Sequence, residues 1–212
     1  MALHLLYGGT FDPVHEGHLA VARAAMAACA AEGIALLPAA DPPHRNAPGA
    51  SAQQRADMLH LAVKGQAGLG VDVSELQRAG PSFTIDTLRA WRTGHGDRAS
   101  LGFVVGADAF LGLATWREWR ALLDMAHWVV AHRPGSPLEA LAEPLASACQ
   151  GRWATDSWAL HAAPGGRLLH LALPPQPESA TALRQALALG QSHPLGLPPA
   201  VAEYIAAHRL YR

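Results

Sequence analysis

Short apolar runs alternate with longer amphipathic ones along the whole chain. Residues 3–7 (LHLLY), 34–38 (IALLP), 101–105 (LGFVV), 127–131 (HWVVA) and 167–173 (RLLHLAL) read as buried strands. VDVSEL at 71–76 reads as a further one. Helical spacing fills the intervals: 18–32, 51–65, the stretch SFTIDTLRAWR, 116–124, 181–189 and 199–208. Gly33 is the expected C-cap of the first helix, and Ser51 with Gln54 forms a capping-box pattern that opens the second. Such alternation predicts an α/β fold, a Rossmann-like doubly wound parallel sheet with helices on both faces. Parallel neighbours need a crossover, and a helix supplies it. The 212 residues suit one domain spanning 1–212, helical in its C-terminal part from about 175. The Gly/Pro/Ala-rich region 134–166 is expected to be a peripheral, irregular insertion.

Nearly every expected strand runs into glycine or polar residues. The first runs into GGTFDPVHEGH, the second into DPPHR, the 101–105 strand into GAD, the next into HRPG and the last into PPQPESATALR. In an open parallel sheet, ligands bind outside the carboxyl ends of the strands. These five segments are therefore expected to converge on one crevice.

Composition limits what the crevice serves. With 16 Lys+Arg against 17 Asp+Glu, no bulk basic surface for nucleic acid is indicated. The two cysteines, Cys29 and Cys149, match no metal spacing, and Cys29 sits in an alanine-rich helix as a small core residue. Neither a signal segment nor an apolar run of membrane-spanning length is present. A soluble cytoplasmic protein that binds neither nucleic acid nor membrane is the expectation.

GGTFDPVHEGHL, residues 8–19, carries the chemistry. Gly8 and Gly9 allow a tight turn and close approach of a ligand. The helix that follows presents free N–H groups and the positive end of its dipole, which favour an anion. His15 and His18, at that helix start, offer directional donors to phosphate oxygens, and Thr10 adds a hydroxyl. HEGH is one residue short of the zinc motif H-E-x-x-H. Neither a P-loop nor a complete G-x-G-x-x-G is present, which disfavours P-loop NTPases and dinucleotide oxidoreductases.

GGTFDPVHEGHL resembles the signature of the HxGH nucleotidyltransferases, and ESATALR at 178–184 resembles that superfamily's second signature, ISSTxxR. Between them DPPHR, PSFTIDTL, GADAF, TWREW and HRPG resemble, in order and spacing, the bacterial nicotinate-nucleotide adenylyltransferase family, and EYIAAHRLYR at the C-terminus fits it too. Glu178 stands where an apolar residue is usual, Ala180 where Ser is common, and Leu183 replaces Ile or Val. Phe83 stands where Tyr is frequent, which leaves the ring without its hydroxyl.

The resemblance implies an enzyme of NAD biosynthesis that joins ATP and nicotinate mononucleotide to give deamido-NAD and pyrophosphate. The acceptor phosphate is already an anion near neutral pH, since the second pKa of a phosphate monoester is about 6. No strong base or covalent intermediate is then required, and the protein supplies positioning and charge stabilisation. His18 is expected to stabilise the α-phosphate, with His15 and Thr10 orienting the phosphates and Gly8, Gly9 and Phe11 lining the ATP site. Arg184, with Ser179 and Thr181, is expected on the β- and γ-phosphates. Gly106 and Asp108 fall near the nucleoside. His44, Arg45, Phe83, Thr84, Trp116 and Arg133 are implied for the mononucleotide: Trp116 stacking on the pyridine, Arg133 reaching the phosphate, and N–H groups near Phe83 and Thr84 receiving the carboxylate. Mg²⁺ is expected to ride on the phosphates rather than in a protein cage. The segment 41–50 is a candidate lid. A transferase with another acceptor, and a nucleotide sensor on the same fold, are the alternatives.

Overall fold

A computed structural model describes residues 1–40, 49–78, 80–132, 138, 141–174 and 178–212. Its strands are β1 (Leu3–Gly9), β2 (Gly33–Pro38), β3 (Leu69–Val71), β4 (Ser100–Gly106), β5 (His127–His132) and β6 (Leu168–Ala172). All pair in parallel, in the order β3-β2-β1-β4-β5-β6. This is the doubly wound arrangement of dinucleotide-binding folds, whose order reverses between β1 and β4.

Helices α1 (Glu16–Ala28), α2 (Ala52–Val63), α8 (Ala180–Ala188) and α9 (Pro199–His208) cover one face. On the other lie α3 (Thr84–His95), α4 (Ala107–Leu111), α5 (Trp119–Met125) and α6 (Leu145–Cys149). Alternation along the strands sorts the side chains. Leu5 and Tyr7 of β1 join the first core, and Leu6 joins the second. Because both faces are covered, the strands are apolar runs rather than half-polar ones, which is why they are legible in sequence.

Several boundaries differ from expectation. Helix α1 ends at Ala28, where Cys29 donates back to Ala25 O at 3.0 Å and Ala30 turns left-handed. Gly33 is therefore not a cap; it opens β2 opposite His4. The VDVSEL run is strand only through Val71, because the Asp72 carboxylate accepts from Ser74 N–H at 2.8 Å and turns the chain. The helix expected over 116–124 starts at Trp119, after a 3-10 turn (Leu113–Thr115) and a left-handed Glu118 (φ 52°). Trp116 and Arg117 consequently lie in a non-helical connector. The region 134–166 holds α6 and a further short helix, α7 (Trp158–His161), whose Leu145, Cys149 and Leu160 are core residues. The Ser51–Gln54 box is present in both directions, at 3.2 and 2.9 Å.

Candidate active site

The crevice opens where β1 leaves β4. Their pairing ends at Tyr7↔Val104, whereas β1 stays with β2 to Gly9↔Pro38 and β4 stays with β5 to Gly106↔Ala131. The glycines at this fork serve packing. A Cβ on Gly8 would lie 2.7 Å from the Phe103 ring, and one on Gly9 would lie 2.8 Å from the Phe11 ring. Phe11 takes a left-handed backbone (φ 52°) and is buried, edge-on to His18 at 5.0 Å between centroids. Its side chain is thus a floor for the histidine.

His15 is the N-cap residue of α1, and His18 lies in its first turn. Their rings stack at 3.7 Å. The backbone N–H of His15 donates to Nδ1 of His18 at 3.3 Å. A neutral imidazole that accepts at Nδ1 carries its proton on Nε2, so this bond makes His18 Nε2 a donor. Burial, with His15 alongside, holds the His18 pKa well below its ordinary value. Burial likewise lowers His15 to about 4, against an opposing pull from Glu178. Both rings are neutral donors at pH 7.

The loop before α1 is anchored by Asp12. Its buried carboxylate accepts from Gly49 N–H at 2.8 Å, Ala50 N–H at 3.1 Å and the Tyr211 hydroxyl at 2.6 Å. Its carbonyl accepts from Arg184 Nη1 at 2.7 Å. Arg55, fully buried, donates to Thr10 O and Ala39 O at 2.8 and 2.7 Å and ties the ends of β1 and β2 together. Ser179 is the N-cap of α8 and accepts from Ala182 N–H at 3.2 Å, so its hydroxyl serves the helix. Arg184 Nη2 reaches Thr181 Oγ1 at 3.4 Å. The second signature therefore lies against the first.

Beside this region is a cavity of about 270 Å³. Gly8, Gly9 and Thr10 line it at the fork of the sheet, and Phe83, Thr84 and Trp116 line it at the start of α3 and in the connector before α5. Glu75 also borders it, accepting from Thr87 Oγ1 at 2.7 Å, and burial raises its carboxyl pKa. Phe83 is the N-cap residue of α3 without a capping side chain, which leaves the first N–H groups of that helix uncapped by a side chain. Trp116 leans edge-on against buried Trp128, at 6.1 Å between centroids.

The structure thus gathers Gly8, Gly9, Thr10, Phe11, His15, His18 and Arg184 at one end, and Phe83, Thr84 and Trp116 at the other. Gly106 and Asp108 are exposed at the carboxyl end of β4, where Gly106 is the N-cap of α4. His44, Arg45 and Arg133, with residues 41–48 of the candidate lid, lie outside the described residues. Sequence reasoning missed Asp12, Arg55, Glu75 and Tyr211. A signal existed for Arg55, which falls on the same helical stripe as Met58, Leu59 and Ala62. A cation on an apolar stripe needs buried acceptors.

A doubly wound sheet with a histidine pair at the first helix start and an arginine brought to it from the C-terminal part defines a nucleotidyltransferase. The family model for cytidylyltransferase-like proteins matches residues 6–186. A Stenotrophomonas maltophilia protein named "probable nicotinate-nucleotide adenylyltransferase" is 52% identical, covering 100% of this chain and 98% of that one. A protein of the same name from Xylella fastidiosa is 46% identical, covering 99% and 96%. Among solved structures, Plasmodium falciparum nicotinic acid mononucleotide adenylyltransferase complexed with NaAD superposes with a TM-score of 0.72 at 15% identity, covering 100% and 98%. The chain belongs to the nicotinate-nucleotide adenylyltransferase family.

Proposed function

We propose that the chain transfers the adenylyl group of ATP to nicotinate mononucleotide, giving deamido-NAD and pyrophosphate, in the cytoplasm. The observation that carries this reading is the juxtaposition at one fork of the sheet. A cluster of neutral donors and an arginine, suited to polyphosphate, adjoins a largely apolar cavity with aromatic walls, suited to a flat ring. The names of the full-length relatives agree with it.

In the proposed reaction an oxygen of the mononucleotide phosphate attacks the ATP α-phosphorus in line. The bond from that phosphorus to the bridging oxygen breaks, and pyrophosphate leaves with the electron pair. The nucleophile needs no deprotonation, so the work is alignment and neutralisation of charge. His18 donates Nε2–H to the α-phosphate, where charge builds in the transition state. His15, Thr10 and the N–H groups at the start of α1 orient the phosphates. Arg184 takes the β- and γ-phosphates, and Ser179 and Thr181 hold the segment that carries it. Gly106 and Asp108 border the nucleoside. Trp116 stacks on the pyridine, and N–H groups at Phe83 and Thr84 receive its carboxylate. His44, Arg45 and Arg133 are assigned to the mononucleotide and its phosphate. The donor set around α1 suits anionic oxygen rather than a bare cation, so Mg²⁺ enters with ATP on its phosphates. Residues 1–212 act as one unit, its C-terminal helices bringing the second phosphate-binding segment.

The test is pyrophosphate release with ATP and Mg²⁺, comparing nicotinate with nicotinamide mononucleotide in wild type and His18→Ala. Turnover on the acid that is lost in the variant supports the reading. No turnover on either mononucleotide, with ATP still bound, would instead favour a nucleotide sensor.

A further inference from the structure

Arg117 is a cation at the cavity wall. It follows Trp116 in the non-helical connector, its guanidinium stands over the Phe83 ring at 4.9 Å, and it lines the cavity. Its neighbour Glu118 is held by Arg89 through two bonds of 3.1 and 2.6 Å, while Arg117 approaches Glu118 only to 3.9 Å. Arg117 makes no hydrogen bond among the described residues, so its five N–H donors are uncommitted. Of the described residues lining the cavity, only Arg117 and Glu75 have ionisable side chains. Glu75 is engaged with Thr87.

That arrangement is unfavourable for an acid ligand unless a cation accompanies it. A carboxylate entering a small cavity whose lining is largely apolar loses water that those walls do not replace. The aromatic face of Phe83 keeps the Arg117 fork at the wall while leaving its N–H edge unsatisfied. An arginine so placed matches a planar carboxylate in shape and charge, and gains nothing comparable from a carboxamide.

We infer that Arg117 is a specificity-determining residue that pairs with the carboxylate of the pyridine ring and makes the cavity select the acid over the amide. This rests on the function proposed above, and it assigns to the Arg117 side chain a part of recognition otherwise left to backbone N–H groups. Phe83 without a hydroxyl suits the role, since its bare ring offers a π face and no competing acceptor.

The experiment compares kcat/KM for nicotinate and nicotinamide mononucleotide, by pyrophosphate release, in wild type, Arg117→Ala and Arg117→Lys. Arg117 is exposed at the rim, so neither change disturbs the core. Arg117→Ala is expected to lower kcat/KM for the acid about 10- to 100-fold, the worth of one charge-assisted hydrogen bond. The amide value should stay within about twofold, and Arg117→Lys should keep part of the preference. An unchanged acid-to-amide ratio in Arg117→Ala overturns the assignment while leaving the adenylyl-transfer reading intact. So does an equal fall on both substrates, which marks a general structural role. A wild type that turns over neither mononucleotide overturns the functional reading itself, and the assignment with it.

Discussion

The two ends of the crevice are built by different means. The end proposed for the phosphates joins residues far apart in the chain: Thr10, Asp12, His15 and His18, then Gly49 and Arg55, then Arg184 and Tyr211. Buried polar groups and directional bonds hold it. The end proposed for the acceptor draws on two nearer stretches, Glu75–Thr87 and Thr115–Leu122, with aromatic packing at its wall. The contrast follows from the proposed ligands. A polyphosphate demands many donors fixed against its repulsive charge, whereas a flat ring demands a shaped apolar slot with few polar groups.

The strongest way to break the comparison is His18→Ala. It should lower kcat about 100- to 1,000-fold, as loss of one preorganised donor does, with little change in the KM for the mononucleotide. A stopped or continuous pyrophosphate assay reads this, and an unchanged kcat would remove His18 from the chemistry. Asp12→Ala comes next. It leaves the Tyr211 hydroxyl and two backbone N–H groups without their acceptor, so urea unfolding should show a loss on the order of 3 kcal/mol. A loss below about 0.5 kcal/mol, the scale of an ordinary surface change, would mean that the hub is not structural.

Trp116→Ala probes the other end. It should raise the KM for the mononucleotide about tenfold, within the range for stacking on an aromatic side chain, and leave the KM for ATP alone. Equal shifts in both would refute the division of the crevice into two ends.

Acidity should separate the ends by sign. His15 is held at about 4, below the ordinary histidine value near 6.5. As pH falls from about 6.5 toward 4, the unfolded chain takes up a proton there and the native state does not, so stability falls, by up to ~1.4 kcal/mol per pH unit for that one group. Burial also lowers His127, which acts with the same sign. Glu75 acts oppositely. Its pKa is raised, so its contribution is present below the ordinary value near 4.5 and is lost as pH rises toward the native pKa. Urea midpoints between pH 7 and 4 should therefore decline more gently in His15→Asn, and rise relative to wild type in Glu75→Gln above pH 5. Parallel curves for the three proteins would contradict both assignments. The smallest effect is expected for Tyr211→Phe, about 1 kcal/mol by thermal melting, because it removes one hydrogen bond and leaves the Asp12 carboxylate with its two backbone donors.

What was legible in the sequence was local. Strands covered on both faces must be apolar throughout, so β1, β2, β4, β5 and β6 announced themselves. The GGTFDPVHEGH string carried its own geometry, because capping, helix start and the histidine spacing depend on neighbours. The edge strand β3 was overestimated, since the Asp72 turn competes with a β-branched run and wins. The helix start at Trp119 was placed too early, which hid the freedom of Trp116 and Arg117.

The sequence by itself determined the class of fold, the crevice at the carboxyl ends of the strands and the histidine pair at the first helix start, because periodicity and short motifs are encoded within a few residues. Only the tertiary structure decided that Arg184 and Tyr211 close on Asp12, that buried Arg55 ties two strand ends, and that Arg117 stands over Phe83 in the cavity wall. Those pairings span up to 199 residues in the Tyr211–Asp12 bond. Nothing local specifies them; they form because packing helices over the open sheet leaves buried donors and acceptors that can satisfy one another there.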